Sequence, residues 1–216
     1  MWRGLMLDGD PVLQPGIYIK TPPSKLWRLK FGYWRSQPLD HIDGLRSKEI
    51  DYIMDYTYNF KNFDLSIGHT YYDYPDLLNA EGSRSGFSRE SYVAITLPKV
   101  FLSPSLYYYY DYGKKDEGGG HGSYAVLNLA YSKPFSVKKI AMSLDVSGHA
   151  GFNNKLYFRG HGGDMGLSAG MTVLLGKHLS IKPNVSYSLP WGNYKDKDNG
   201  NQKTRVYTGA YISFAL

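Results

Sequence analysis

Along most of the chain, apolar and polar residues alternate with a period of two. In Ile50 to Phe60, Tyr52, Met54, Tyr56, Tyr58 and Phe60 share one face, while Asp51, Ile53, Asp55, Thr57 and Asn59 share the other. That alternation predicts a strand with one greasy and one polar face. Strands are predicted over Met1 to Met6, Val12 to Lys20, Leu26 to Ser36, Ile50 to Phe60, Phe63 to Asp73 and Glu90 to Leu97. They continue over Ser105 to Tyr112, Gly122 to Lys133, Ile140 to Gly151, Asp164 to Leu175, Leu179 to Leu189 and Arg205 to Phe214. Most have a length near the roughly 9–11 residues that a tilted strand needs to cross a bilayer core.

The connections alternate too. Short ones run Thr21 to Lys25, Lys61 to Asn62, Pro98 to Pro104, Pro134 to Lys139 and Gly176 to His178. Long ones run Gln37 to Glu49, Tyr74 to Arg89, Gly113 to His121, Phe152 to Gly163 and Pro190 to Thr204. Leu7 to Pro11, short in a long slot, is the exception. An up-and-down membrane barrel sorts its connections in this way, with tight turns on one side and long loops on the other. A soluble sandwich has no reason to do so.

The fold expected is therefore all-β: an up-and-down antiparallel transmembrane β-barrel of twelve strands, or ten if Met1 to Lys20 does not form two. It occupies residues 1–216 as a single domain. Its lipid face carries Phe31, Tyr33, Leu65, Ile67, Leu106, Tyr108, Leu127, Leu144, Leu167, Met171, Val185 and Ile212, among others. The opposite phase is small or polar: Ser143, Asp145, Ser147 and His149 on one strand, Gly166, Ser168, Gly170 and Thr172 on the next.

Composition sharpens this picture. Aromatics make up 16% of the chain, with 21 Tyr and 4 Trp, yet the mean hydropathy is −0.41. Membrane-interface belts of Tyr and Trp account for that pairing. No apolar run reaches the roughly 18 residues of a spanning helix. With no cysteine, thiolate metal sites, disulfides and Cys-anchored haem are excluded. The net charge of +6 is spread over predicted loops rather than gathered on one face, so nucleic acid is not an expected partner. Met1-Trp2-Arg3-Gly4 is not a charged n-region followed by an apolar h-region. A signal peptide and the start of the first strand are expected to lie outside this sequence.

Charges in the inward phase are the candidate functional residues: Arg28, Lys30, Asp51, Asp55, Asp64, Asp111, Asp145, Asp164, Lys182 and Arg205, with His149 beside them as a lumen polar residue. Simple register places Lys30 opposite Asp55 and Asp64 beside Asn59. Such charges select ions or pair and plug a narrow barrel. Six acids against four bases give no reason to expect anion selectivity.

His41, His121, His161 and His178 fall in predicted loops or turns, where a solvated imidazole is the default. Their spacing matches no metal-ligand motif, so neither metal nor cofactor is expected. Ser147, His149 and Asp145 share a strand face, but such a row arises readily among polar lumen residues. No catalytic site is assigned and no enzyme is expected. The Gly-rich stretches lack the Gly-Lys-Ser/Thr ending of a phosphate loop.

Trp2-Arg3-Gly4-Leu5, followed by Gly9-Asp10-Pro11-Val12-Leu13-Gln14-Pro15, resembles the opening of the TorF-like porin family of proteobacteria. Tyr71-Tyr72-Asp73-Tyr74-Pro75, Ser103-Pro104-Ser105-Leu106-Tyr107-Tyr108-Tyr109-Tyr110-Asp111 and Gly122-Ser123-Tyr124 extend the resemblance along the chain. It implies a β-barrel of the bacterial outer membrane with a porin-like role, and it carries no catalytic residues. Gly209, followed by Ile212 and Phe214 at three and five positions, resembles the closing-strand signal read by the barrel assembly machinery. The expected partners are membrane lipid, that machinery, and small polar solutes or ions. A protein partner is a further candidate at loops 74–89 and 190–204, which carry Trp191 and Tyr194. The function expected is passage of small polar solutes or ions. The alternatives are a structural barrel subunit with a narrow or plugged lumen, and a soluble ligand-binding barrel with its greasy rows packed inside.

Overall fold

Alternation of side chains has its structural counterpart in a single antiparallel sheet. The computed structural model describes residues 11–22, 26–39, 48–75, 86–115, 118–157, 160–196 and 201–215. Its strands are β1 (Val12–Leu13), β2 (Gly16–Lys20), β3 (Trp27–Pro38), β4 (Glu49–Asn59), β5 (Asp64–Asp73) and β6 (Phe87–Thr96). They are followed by β7 (Ser105–Asp111), β8 (Gly122–Val137), β9 (Ile140–Asn154), β10 (His161–Leu174), β11 (Leu179–Gly192) and β12 (Arg205–Phe214). The protein is all-β, and from β3 to β12 each strand pairs with its chain neighbour in up-and-down order.

The sheet has twelve strands, but they are divided differently from the expectation. Val12 to Lys20 is broken in two, and both pieces pair with β3 in one continuous register, Val12 opposite Pro38 and Gly16 opposite Trp34. The break falls at Gln14-Pro15, where proline has no N–H for the ladder. The predicted strand Met1 to Met6 lies outside the described residues.

Strand ends also move. β8 runs through Pro134, which sits opposite Ser143, so the predicted turn of Pro134 to Lys139 shrinks to 138–139. Beyond Asn128 this strand is paired with β9 alone, and an edge tolerates a missing N–H. Likewise β9, β10 and β11 extend past their predicted ends to Asn154, His161 and Gly192. The connection 155–160 is thereby shorter than the connection 97–104, so loop lengths are not sorted by side there.

The sheet is curled. Tyr92 on β6 hydrogen-bonds Asp55 on β4, Tyr124 on β8 reaches Asp164 on β10 at 2.7 Å, and Lys182 on β11 reaches Asp145 on β9 at 3.2 Å. Each contact skips a strand. The Tyr74 and Tyr157 hydroxyls, which follow β5 and β9, meet at 3.3 Å. Four strand spacings in a flat sheet would separate those positions by roughly 19 Å.

Burial is inverted relative to a soluble domain. Among the described residues nine polar or charged side chains are buried against six hydrophobic ones, and Leu106, Ile67, Val93, Leu127, Leu144 and Leu167 stand exposed on the convex side. An aromatic row, Tyr33–Tyr52–Tyr71–Phe87, crosses β3 to β6 on that side with centroids 5.8–6.2 Å apart. Both edges are recognisable by extra exposure: Ile17 and Ile19 at 69% and 70% on β2, Ile212 and Phe214 at 74% and 69% on β12, against 44% for Val93, Leu127 and Val146 on interior strands.

Candidate functional site

Three tyrosines on the concave side share one construction. Tyr92, Gly68 and Asp55 lie in line across β6, β5 and β4. The ring of Tyr92 lies along the wall over Gly68, where a Cβ would meet it at 2.2 Å, and its hydroxyl donates to Asp55. Tyr124 crosses Gly151 on β9 in the same way, with a Cβ there 1.8 Å from its hydroxyl. Tyr18 lies over Gly32 on β3 with Asp51 of β4 as its electrostatic neighbour. At each of these positions an aromatic ring occupies the space a side chain would take, so a Cβ there would have to displace the ring.

The half of the concave side nearer the long loops is sealed. Asp164, with no exposed surface, accepts from the Tyr124 hydroxyl at 2.7 Å and from His149 Nε2 at 2.6 Å. Asp111, 1% exposed, accepts from Ser88 at 2.7 Å, the Gly113 N–H at 2.9 Å and the Tyr157 hydroxyl at 3.2 Å. Tyr72 donates to Glu90 at 3.0 Å. These bonds replace the water that a buried carboxylate loses.

Residues 155–157 fold inward over this network. Lys155 and Tyr157 adopt left-handed φ of 62° and 61°, a conformation that costs a non-glycine residue about 1 kcal/mol or more. Between them Leu156 is fully buried against Tyr124 and Val126. Asn153 holds the turn, donating to the Leu156 carbonyl at 2.9 Å and the Tyr194 hydroxyl at 2.8 Å. Burial first, then the neighbouring Tyr157 and Glu49, push the Tyr74 hydroxyl well above its ordinary range, so it stays protonated.

The half nearer the short turns is wetter. Asp145 accepts from Ser132 and Thr172 at 2.6 Å, Ser143 at 3.1 Å and Lys182 at 3.2 Å. A shallow cleft of about 420 Å³ opens beside it, lined by Pro134, Ser136, Ser143 and Thr172 among others. Lys30 lies directly opposite Asp55, 3.9 Å from its carboxylate, and Asn59 faces Asp64, both in the predicted register.

The remaining predicted residues are dispersed. Arg28 is exposed on β3. Arg205 faces Ser188, and its Nε, the Ser188 hydroxyl and Asp51 Oδ1 are buried without a hydrogen-bond partner. Gly209, Ile212 and Phe214 lie on β12 opposite Asn184, Ile181 and Leu179. His149 turns to Asp164 rather than toward Ser147. His161 stacks on Phe152 at 5.9 Å, and His178 donates to the Ala215 carbonyl at 2.8 Å. Among the described residues no three His, Asp or Glu converge on a point that would hold a metal ion.

Two expectations need correction. Tyr194 is 1% exposed and bonded to Asn153 rather than open on a loop, and Trp191 is a strand residue with its ring 5.9 Å from Phe152. The inward phase is also not uniformly small or polar, because Tyr92, Tyr107, Tyr109 and Tyr124 face the concave side. The run Tyr107-Tyr108-Tyr109-Tyr110 carried that signal, since period-two alternation must turn half of it inward. No family model and no curated protein matches the chain.

Proposed function

We propose that the curled sheet is the wall of a porin-like β-barrel in a bacterial outer membrane, passing small polar solutes or ions through a narrow lumen. The observation that carries this reading is the inverted burial: Asp, Ser, Glu and Asn are shielded while Leu, Ile, Val and Tyr rows face out. In water those rows would aggregate; against acyl chains they are solvated, and the polar phase lines a hydrated lumen. The sorting of turns and loops and the resemblance to the TorF-like porin family support the same reading. In it, lipid contacts the convex face, and the barrel assembly machinery reads Gly209, Ile212 and Phe214.

The Asp145–Lys182 and Lys30–Asp55 pairs stand along the path, and the network under Leu156 narrows it. Folded protein is expected to migrate faster on a gel unheated than boiled, and to give discrete conductance steps in planar bilayers. The sealed half favours a second reading, a structural barrel subunit with a plugged lumen. Protein that is folded by the gel criterion yet silent in repeated bilayer trials ends the first reading, and co-purification of a stoichiometric partner after mild detergent extraction supports the second.

A further inference from the structure

The concave side carries aromatic surface that passage of ions does not require. Tyr92, Tyr107 and Tyr109 cluster on β6 and β7 with ring centroids 5.3–5.8 Å apart, and Tyr107 lies within 10° of parallel to Tyr109. Tyr124 continues the row at 6.4 Å from Tyr109. Tyr92, Tyr107 and Tyr109 are only half-buried, so ring surface remains open to whatever fills the concave side.

The inward row one step nearer the short turns is Thr96, Ser105 and Asn128, in direct register across β6, β7 and β8. All three are half-buried, uncharged, and able both to donate and to accept. Of the carboxylates alongside, Asp55 is engaged with Lys30 and Tyr92 and Asp164 with Tyr124 and His149, while Asp64 flanks the row opposite Thr96 as a further acceptor for hydroxyl groups.

An aromatic row beside a row of neutral donor–acceptors matches the two-sided chemistry of a sugar ring. Its C–H face packs on an aromatic ring, and its hydroxyls take bifunctional partners. An acyclic polyol offers the hydroxyls without the flat face. We infer that Tyr92, Tyr107 and Tyr109, with Thr96, Ser105 and Asn128, form a binding track for a neutral oligosaccharide. The track is entered from the short-turn side and ends against the Tyr124–Leu156 packing. It rests on the porin-like reading for how the solute arrives.

The test is calorimetric titration of detergent-folded, full-length protein with maltotriose and with cellotriose, which share pyranose faces but differ in linkage. Mannitol serves as the acyclic control. At least one trisaccharide is expected to give saturable heat and mannitol none. Tyr107→Phe keeps the ring and is expected to leave affinity within about twofold, whereas Tyr107→Ala weakens it about fivefold or more. Thr96→Val, which leaves the tyrosines in place, is expected to weaken it about fivefold and stands in for Tyr107→Ala if that variant loses its heat-modifiable gel shift. Absence of heat with both trisaccharides, equal heat with mannitol, or a Tyr107→Phe variant as weak as Thr96→Val overturns the track. Conductance without sugar binding removes the track alone, and sugar binding without conductance removes passage alone.

Discussion

The two halves of the concave wall are built from the same residue types and reach opposite states. Toward the long loops Glu90, Asp111 and Asp164 are at most 2% exposed, each bonded to tyrosine, serine, histidine or backbone N–H. Toward the short turns Asp145 and Asp55 keep 18% and 15% of their side chains exposed, and their partners Lys182 and Lys30 keep 39% and 31%. What differs is the cover. Leu156 and Tyr157 fold over the first half, while 138–139 and 175–178 turn back without entering the second. Carboxylates alone do not leave a wall buried or wet; the connection above them decides.

The contrast can be broken most forcefully at its centre. Asp164→Ala leaves Tyr124 and His149 facing an unfilled buried site and is expected to destabilise the folded barrel by about 3 kcal/mol, measured by urea unfolding in lipid vesicles. A loss under about 1 kcal/mol would mean that water already reaches this half. Leu156→Ala empties a fully buried site and is expected to cost about 2–3 kcal/mol. The same change is expected to raise single-channel conductance, because it thins the cover.

Gly151→Ala and Gly209→Ala form a matched pair. The first sets a Cβ 1.8 Å from the Tyr124 hydroxyl, whereas the second meets nothing nearer than 3.7 Å. A cost of about 1–3 kcal/mol is expected for Gly151→Ala alone, and equal losses at both sites would remove the ring-over-glycine construction. The smallest effect belongs to the open half. Asp145→Asn is expected to change stability by less than about 1 kcal/mol, yet to shift the reversal potential in a KCl gradient toward anions. Lys182→Gln is expected to shift it toward cations.

Much of the fold was legible because period-two alternation needs only neighbouring residues to be read. The strands from Trp27 to Phe214 follow from it, as does the facing of Lys30 and Asp55. Strand ends were less legible: Glu49, His161 and Trp191 continue the ladder past the apolar band, where side chains no longer report the pleat. The site was harder. Tyr92 reaching Asp55, or Tyr124 reaching Asp164, depends on curvature that brings strands two apart within one side chain's length. The inward turn at Lys155 and Tyr157 carried no glycine to announce its left-handed backbone. The inner tyrosines were readable from Tyr107 to Tyr110, but outward aromatic rows and inward ones look alike until a phase is assigned.

That phase is the claim on which everything else depends, and the absence of native cysteine makes it directly measurable. Single cysteines placed in turn from Met165 to Val173 on β10 are to be spin-labelled in lipid vesicles and probed with oxygen and with a water-soluble nickel chelate. Labels at Met165, Leu167, Ala169 and Met171 are expected to collide with oxygen, and labels at Gly166, Ser168 and Gly170 to lose that contact. Oxygen contact in the reverse phase, or without any period of two, would contradict a barrel whose greasy face meets lipid.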